Sequence, residues 1–206
     1  MSINRDFFFD HTRESLFKGS LRQSQLNGMI AILDKWEAES PKDDDRWLAY
    51  MLATTHHETG RTMQPVRETF ATTDDDAVKR LEKAWIAGKL PWVKTPYWRR
   101  DADGKSWFGR GFVQLTHRTN YQKVGAVINV DFITNPDRAM DLDAALKVLF
   151  VGMRSGLFTS AKLSDFFSTS KETWVQARKI INGLESADLV AGYAKTYYAA
   201  ISYTVG

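Results

Sequence analysis

The stretch RWLAYMLATTHHETGRTMQPVRE, residues 46–68, contains the pattern that decides how this chain folds. Its first part repeats core-forming side chains three and four positions apart, at Trp47, Tyr50, Met51 and Thr54. This spacing predicts a helix with one buried face. Gly60 is the predicted end of the helix, because glycine accepts the left-handed conformation that terminates helices. The last turn of this core helix therefore carries Glu58 along the buried face.

Two glutamates in this stretch, Glu58 and Glu68, are candidates for acid–base chemistry. Glu58 continues the apolar face, where burial would keep it protonated and ready to donate a proton. Glu68 follows Pro65 in an irregular segment, where exposure would keep it ionised and able to activate water. Ordinary roles stay open for both: a hydrogen bond at a helix end for Glu58, and a surface ion pair with Arg67 for Glu68.

The composition argues against several other kinds of site. The 206 residues include no cysteine, so disulfides, thiolate metal sites and cysteine nucleophiles are excluded. His56 and His57 are adjacent, and the H-E-x-x-H spacing of zinc proteases is absent. The sequence thus indicates no metal and no organic cofactor. The net charge of +3 is mild and evenly spread, so we expect no nucleic-acid partner.

Helical periodicity dominates the rest of the chain. SQLNGMIAILDKW (24–36) places Leu26, Met29, Ile30 and Leu33 on one face, and a short exposed helix is predicted to begin near Asp74–Asp76. Three further helices are predicted in DLDAALKVLFVGMRSG (141–156), TSKETWVQARKIING (169–183) and SADLVAGYAKTYYAAISYTV (186–205). In the second of them, Thr169 and Glu172 have the spacing of a capping box. Aromatic residues around an Asp103–Gly104 turn predict a β-hairpin.

A third segment, GRGFVQLTHRTNY (109–121), combines two glycines with uncharged hydrogen-bonding side chains. Gln114 and Thr116 alternate along a predicted strand and so share a face. Together with Asn120, they offer uncharged groups that can form hydrogen bonds. A glycine-kinked strand that simply leads into a helix is the alternative reading of this segment.

These motifs together resemble those of family 19 glycoside hydrolases, which include the plant-type chitinases. The resemblance rests on HETG at a helix end, on GRGFVQLTHRTNY and on a later IING. The string HHETGRTMQPVRE with GRGFVQLT is more similar still to the phage endolysins of that superfamily, which cleave peptidoglycan. The resemblance spans about residues 20 to 200. It implies a mainly α, two-lobed, lysozyme-like fold with a small β-hairpin element, in which residues 1–206 form one catalytic domain with a smaller lobe around 60–115.

The resemblance also implies roles for individual residues. Glu58 matches the general acid, Glu68 the general base, and Thr116 the residue that holds the attacking water. Three residues match positions that contact the sugar in the family: Gln114, Asn120 and Asn182. Candidates for aromatic stacking on the sugar rings are Trp98, Trp107 and Tyr121. Other carboxylates in flanking loops remain alternatives to Glu68, namely Asp74, Asp75 and Asp101.

The chain departs from plant chitinases at several positions. Where those enzymes continue with a second threonine and two glycines, this chain has Gly60 and Arg61. An arginine that they carry near the last helix is expected to be replaced around Val190, and their cysteines are missing. These departures bear on chitin as the substrate more than on the chemistry.

The function predicted from the sequence is an endolysin that hydrolyses β-1,4-glycosidic bonds of peptidoglycan, with inversion at the anomeric carbon. The alternatives are a chitinase, a lytic transglycosylase and a non-catalytic cell-wall-binding module. We expect a monomer without membrane insertion, because no apolar run approaches the roughly 20 residues of a membrane span. No signal peptide is recognised. We therefore expect accumulation in the host cytoplasm until a holin-type pore protein gives access to the wall.

Overall fold

A computed structural model of the chain describes residues 2–204, and helices dominate them. The helices in chain order are α1 (Arg5–Leu16), α2 (Gln23–Glu39), α3 (Asp45–Glu58), α4 (Asp74–Ile86), α5 (Arg118–Ile128), α6 (Leu142–Ser155) and α7 (Ala187–Ala200). The strands are only two residues long: β1 (Val66–Arg67), β2 (Arg110–Gly111), β3 (Phe167–Ser168) and β4 (Lys171–Glu172). The predicted mainly α fold with a small β element is therefore confirmed.

The chain divides into two compact units. One comprises the described residues of Met1–Gln64 and Leu149–Gly206, and the other comprises Pro65–Val148. The contiguous second unit contains most of the segment that the sequence assigned to a smaller lobe, and it continues to Val148. That the whole chain acts as one catalytic domain stays a prediction.

Helix α3 forms the centre of the first unit, as its periodicity predicted. Every residue from Leu48 to His56 is buried. The helix begins where the Asp44 side chain accepts a hydrogen bond from the backbone N–H of Arg46 at 3.0 Å. It ends before Gly60, whose φ of 54° lies in the left-handed region. This confirms both the core helix and the position of Glu58 in its last turn.

Helix α2 is confirmed, but its buried face is rotated from the predicted one. The fully buried apolar side chains are Met29, Ile32 and Leu33, whereas Ile30 is 37% exposed. Gly28 explains the rotation, because a Cβ atom there would lie 1.7 Å from the carbonyl oxygen of Met63. The face of α2 that carries Gly28 therefore packs closely against the turn after α3.

The second unit is built around α4 and the aromatic residues that follow it. Thr73 caps α4 by accepting a hydrogen bond from the backbone N–H of Asp76 at 3.2 Å, which confirms the predicted start. Trp98 and Phe108 pack with α4 residues in a buried cluster. Strands β1 and β2 pair antiparallel, with Val66 opposite Gly111 and Arg67 opposite Arg110. This short ladder joins the segments that flank Glu68 and Gly109.

The predicted hairpin at Asp103–Gly104 is wrong. The turn exists, with Gly104 at φ 72°, but the residues on either side form no strands. The Asp101 carboxylate organises the turn by accepting hydrogen bonds from the backbone N–H groups of Asp103 and Lys105. The flanking aromatic side chains contribute to the core instead of pairing across a ladder.

The predicted helix over residues 169–183 is also wrong. Phe167–Ser168 and Lys171–Glu172 pair as a β-hairpin, and only Gln176–Ile180 forms a short 3₁₀ helix. Glu172 does not cap a helix, because its carboxylate accepts a hydrogen bond from Trp174 Nε1 at 2.6 Å. Packing of the Phe167 ring against Trp174, at 4.8 Å between centroids, favours the hairpin over the local helical pattern.

Within residues 2–204, no helix is both long enough and apolar enough to cross a bilayer.

Candidate active site

Glu58 lies at the carboxyl end of α3 and forms an ion pair. The guanidinium of Arg178 donates a hydrogen bond to Oε1 of Glu58 at 2.7 Å. Both side chains are sheltered, with 4% of Arg178 and 15% of Glu58 exposed. The apolar surroundings predicted for Glu58 are wrong, because a buried cation contacts this carboxyl group.

Arg178 is the functional candidate that the sequence analysis missed in this unit. Its Nε donates a hydrogen bond to the carbonyl oxygen of Glu185 at 3.1 Å, which orients the guanidinium toward Glu58. The resemblance to plant chitinases implied that an arginine near the last helix is replaced around Val190. Val190 is fully buried in α7, and the arginine that reaches Glu58 comes from the 3₁₀ helix Gln176–Ile180. A separation of 120 residues left no local pattern to reveal this pair.

The two histidines before Glu58 have structural surroundings. His56 is fully buried, and its Nδ1 lies 2.9 Å from the hydroxyl of Tyr197. Burial, aided by the charges of Arg61 and His57, lowers the pKa of His56 to about 4. Burial is also the main cause of the lowered pKa of His57, where the charge of Arg178 acts in the same direction and the charge of Glu58 opposes it. Both rings are therefore neutral near pH 7.

Glu68 lies in the second unit, where two hydrogen bonds hold its carboxylate. The hydroxyl of Tyr97 donates to Oε1 at 2.7 Å, and the backbone N–H of Gly109 donates to Oε2 at 2.7 Å. The Gly109 carbonyl also accepts a hydrogen bond from the Glu68 backbone N–H at 2.7 Å. Glu68 is thus only half-exposed and does not pair with Arg67. Donors on both oxygens hold the carboxylate in one orientation.

The backbone after Glu68 is strained. Thr69 and Phe70 have φ values of 61° and 56°, in a region that side chains with a Cβ disfavour. Such strain persists only where surrounding structure enforces it, and it is typical of functional segments.

A network of four charged side chains, centred on the buried Arg110, fixes both sides of Glu68. Arg67 contacts Asp74 at 2.8 Å and Asp137 at 2.6 Å. Arg110, which lies opposite Arg67 in the β1–β2 ladder, contacts Asp74 at 2.5 Å and Asp137 at 3.5 Å. Because Arg67 precedes Glu68 and Arg110 follows Gly109, the network anchors both the carboxylate and one of its donors.

The loop that carries Gln114 and Thr116 is a tight turn, so the predicted strand is wrong. Gln114 has a φ of 54°, and the backbone folds back so that Arg110 and Leu115 exchange hydrogen bonds. Gln114 Nε2 donates to the carbonyl oxygen of Val66 at 3.0 Å. A Cβ atom at Gly109 would lie 2.8 Å from Oε1 of Gln114, so glycine permits this close approach.

Thr116 and Asn120 continue the same chain of contacts. The Thr116 hydroxyl donates to the carbonyl oxygen of Gln114 at 2.7 Å, and Asn120 Nδ2 donates to the carbonyl oxygen of Thr116 at 2.8 Å. Both side chains are partly exposed. Glu68 and Gln114 therefore approach Gly109, and a chain of hydrogen bonds continues from Gln114 to Thr116 and Asn120. The roles assigned to these residues stay predictions.

Asn182 belongs to the first unit and is exposed. Its backbone N–H donates to the carbonyl oxygen of Arg178 at 3.2 Å, and its Oδ1 accepts a hydrogen bond from the Gly183 N–H at 2.8 Å. Asn182 therefore lies immediately after the 3₁₀ helix that carries Arg178, the residue that contacts Glu58.

The aromatic residues predicted to stack on sugar are buried, and that prediction is wrong. Tyr121 and Trp98 are 0% exposed, and Trp107 is 5% exposed. The Tyr121 hydroxyl donates to the carbonyl oxygen of Phe108 at 2.7 Å and contacts Arg110 at 3.1 Å. The Trp107 ring contacts Tyr121 edge-on, with 5.4 Å between centroids. These rings form the core of the second unit and have no open face for a pyranose.

The alternatives to Glu68 have other partners. Asp74 belongs to the ionic network around Arg110, and Asp75 pairs with Arg100 at 2.5 Å. Asp101 organises its own turn and accepts a hydrogen bond from Trp107 Nε1 at 2.8 Å. Glu68 stays the predicted second carboxylate. Within residues 2–204, no group of three or more histidine or carboxylate side chains is arranged to share a metal ion.

Comparison with known proteins identifies a family. The family model described as chitinase class I matches residues 39–151, which is more than half of the chain. The matched span includes both candidate carboxylates and the polar residues Gln114, Thr116 and Asn120.

Several curated plant proteins are similar to this chain over part of its length. Chitinase 11 of Oryza sativa subsp. japonica is 33% identical over 84 residues, covering 33% of this chain and 33% of the relative. Acidic endochitinase Q of Nicotiana tabacum is 32% identical over 81 residues, covering 33% and 32%. The chain thus spans about a third of the length of these relatives. An endochitinase of Pisum sativum is 53% identical over 36 residues, covering 18% of this chain and 11% of the relative.

Solved structures are similar at lower identity. Chitinase C from Streptomyces griseus HUT6037 aligns over 92% of each chain, with 16% identity and a TM-score of 0.46. A bacterial family 19 chitinase aligns over 93% of this chain and 94% of its own, with 18% identity and a TM-score of 0.39. Because the family model matches more than half of the sequence, this chain belongs to the chitinase class I family, glycoside hydrolase family 19.

Proposed function

We propose that this protein is an endolysin that hydrolyses β-1,4-glycosidic bonds in bacterial peptidoglycan. Glu58 donates a proton to the leaving oxygen, and Glu68 takes a proton from the water that attacks the anomeric carbon. Thr116 holds that water. Because the water attacks directly, the anomeric configuration inverts, and the two carboxyl groups of such enzymes stand roughly 6.5–9.5 Å apart.

The observation that carries the proposal is the bonding of Glu68. Two donors, Tyr97 and Gly109, lie 2.7 Å from its two oxygens and stabilise the negative charge. A general base must be ionised before it can accept a proton, so this arrangement suits the second carboxylate of an inverting glycosidase.

Glu58 suits the role of the acid in a different way. Arg178 contacts Oε1, so we assign the transferable proton to Oε2. The developing carboxylate is then stabilised by Arg178 as the proton leaves. The pair is sheltered from water, which strengthens this electrostatic effect.

Chitin is the second candidate substrate. The names of the similar plant proteins, chitinase and endochitinase, favour it. Peptidoglycan and chitin share β-1,4-linked N-acetylglucosamine, so the same pair of carboxylates could act on either. The departures at Gly60 and Arg61 favour peptidoglycan, because a cationic residue there would suit an acidic glycan.

The proposal is tested with the wild-type protein on purified Gram-negative sacculi and on colloidal chitin. We expect soluble muropeptides with reducing ends from sacculi, detected by mass spectrometry, and slower release from chitin. Fragments with anhydro ends would identify a lytic transglycosylase instead. Binding to sacculi without release would identify a non-catalytic wall-binding module. Proton NMR of the first anomer formed on chitin oligosaccharides tests inversion, and a retained anomer would exclude the direct attack of water.

Access to the wall and the assembly state are parts of the same proposal. We propose a monomer that reaches the wall when a holin-type protein permeabilises the inner membrane. Co-expression with such a pore protein should lyse the host cell, whereas expression of either protein alone should not. Size-exclusion chromatography with light scattering should give the mass of one chain, 23.5 kDa.

A further inference from the structure

A polar hollow of about 420 Å³ opens on the first unit beside the end of α3. It is lined by the α1–α2 connection and by the turn that follows Glu58. We call it the cationic hollow, because its lining includes Lys18, Arg22 and Arg61. All three are exposed residues.

The three cations lack acidic partners. In the part of the chain that the structure describes, no ion pair involves Lys18, Arg22 or Arg61. By contrast, arginines elsewhere on the same unit, such as Arg5 and Arg46, pair with carboxylates. Positive charges grouped without counter-charges attract anions.

A buried glutamine holds the two sides of the hollow together. Gln25 is 9% exposed, and its Oε1 accepts a hydrogen bond from the Arg22 N–H at 2.8 Å. Its Nε2 donates to the carbonyl oxygen of Arg61 at 2.8 Å. The backbones that carry two of the cations are thereby fixed relative to each other. The hollow is part of the framework of the unit.

Two of the cations occupy backbone conformations that favour glycine. Arg61 has a φ of 70° and Lys18 has a φ of 57°. A side chain with a Cβ is disfavoured there, yet the chain places a long cation at both positions. Arg61 also stands where the sequence departs from plant chitinases. Backbone outliers of this kind point to function.

We propose that the cationic hollow binds carboxylate groups of the peptidoglycan strand and thereby selects an acidic glycan over neutral chitin. This inference rests on the proposed function. Arg61 follows Glu58 by three residues, so their Cα atoms lie no more than roughly 11 Å apart. A carboxylate bound by Arg61 and Lys18 would therefore belong to a sugar or stem peptide close to the bond that Glu58 protonates. Guanidinium groups suit carboxylates because they donate two parallel hydrogen bonds.

The test measures binding separately from hydrolysis. Glu58→Gln serves as the background, and its affinity for Gram-negative sacculi is measured by co-sedimentation at several salt concentrations. Arg61→Gly and Lys18→Gly remove a charge and insert the residue that suits a positive φ. Each is expected to weaken binding by roughly three- to fivefold and to reduce its salt dependence. Arg61→Lys should retain most of the affinity.

Two controls show whether a loss reflects the hollow. Lys195→Gln removes an exposed cation of α7 that does not line the hollow and should leave affinity unchanged. The melting temperatures of Arg61→Gly and Lys18→Gly should not fall, because glycine relieves the backbone strain.

Substrate variants identify the carboxylate. Amidation of the sacculi with a carbodiimide removes their carboxylates. It should abolish the difference in affinity between the Glu58→Gln background and its Arg61→Gly derivative. Glycan strands stripped of peptide expose the lactyl carboxylate of muramic acid, whereas intact sacculi present carboxylates of the stem peptide. A difference that persists on stripped strands assigns the lactyl group, and one confined to intact sacculi assigns the peptide.

The proposal is overturned if Arg61→Gly and Lys18→Gly bind intact sacculi as tightly as the background does. It is also overturned if these variants lose as much affinity for amidated sacculi or for chitin as for intact sacculi. A loss of affinity seen only with walls that carry phosphate polymers would overturn it as well. Hydrolysis by the otherwise wild-type protein is measured in parallel. If binding to sacculi depends on these cations but no hydrolysis occurs, the proposed function is contradicted. The inference that the hollow binds carboxylates would still stand.

Discussion

The hydroxyl group of Tyr97 donates a hydrogen bond to Oε1 of Glu68 at 2.7 Å. The phenol remains protonated at all relevant pH values, because burial raises the pKa of Tyr97 and the negative charge of Glu68 raises it further. Tyr97 is therefore a permanent hydrogen-bond donor to Glu68. It acts as a positioning residue for the proposed base.

Tyr97→Phe removes this donor and little else. We expect kcat to fall by about 10- to 150-fold, since a hydrogen bond to a charged group contributes about 1.5–3 kcal/mol. KM should change little, because the lost hydroxyl acts on the proposed base. Tyr198→Phe, at an exposed tyrosine of α7, is the matched control. An unchanged kcat for Tyr97→Phe would show that the hydrogen bond has no part in catalysis.

Asp74→Asn tests the ionic network that anchors Glu68. Arg110 is fully buried, so neutralising Asp74 leaves a buried cation short of negative charge. We expect the free energy of unfolding to fall by about 2 kcal/mol. The adjacent change Asp75→Asn breaks only a surface pair with Arg100, where 86% of the aspartate is exposed, and should have an effect below about 0.5 kcal/mol. Urea denaturation of both variants measures the difference, and equal effects would contradict the network.

The pH dependence of the same network has a defined sign. Burial raises the pKa of Asp74, but hydrogen bonds and charges from Arg67 and Arg110 outweigh it and lower the pKa below 3.8. The resulting stabilisation is present above the unfolded pKa and is lost as the pH falls through the folded one. The difference in the free energy of unfolding between Asp74→Asn and the wild type should therefore become smaller in strongly acidic solution.

Tyr121→Phe separates a core role from a sugar-binding role. The hydroxyl bridges Arg110 and the carbonyl oxygen of Phe108 inside the second unit. Its removal should lower the free energy of unfolding by about 1–2 kcal/mol. KM should remain unchanged, because the ring has no exposed face. An increase in KM without a loss of stability would restore the stacking role that the sequence suggested.

His56 makes the first unit less stable in mild acid. Its folded pKa of about 4 lies below the ordinary value of 6.5, so the unfolded chain binds the proton first as the pH falls. Stability is therefore lost between pH 6.5 and 4, by about 3 kcal/mol at most. His56→Gln should reduce this dependence, although stability at pH 7 should fall because the contact with Tyr197 changes. Urea denaturation of the wild type and His56→Gln at pH 7 and pH 4.5 measures this pH dependence. A pH dependence as large in His56→Gln as in the wild type would show that His56 does not cause it.

Local patterns predicted the elements that carry the candidate residues. The period of α3, the end of the helix at Gly60 and the position of Glu58 follow from contacts three and four residues apart. The partners of the two carboxylates do not. Tyr97, Gly109 and Arg178 are 29, 41 and 120 residues away from the glutamates they contact. Their placement depends on packing between segments, which the periodicity of one segment does not encode.

The errors have the same origin. TSKETWVQARKIING has helical spacing, but the packing of Phe167 against Trp174 stabilises a hairpin there. Tyr121 and Trp107 resemble the aromatic residues of sugar sites, yet the second unit uses them as its core. Composition identifies the residue types, and the burial of each one is decided by its long-range neighbours.

The central claim is that Glu58 supplies the proton that cleaves the glycosidic bond. The most direct measurement is the release of reducing ends from purified sacculi by the wild type and by Glu58→Gln, with Glu14→Gln as a surface control. We predict that Glu58→Gln loses at least about a hundredfold in rate while its melting temperature shows that it still folds. A variant that retains a substantial fraction of the wild-type rate would contradict the account.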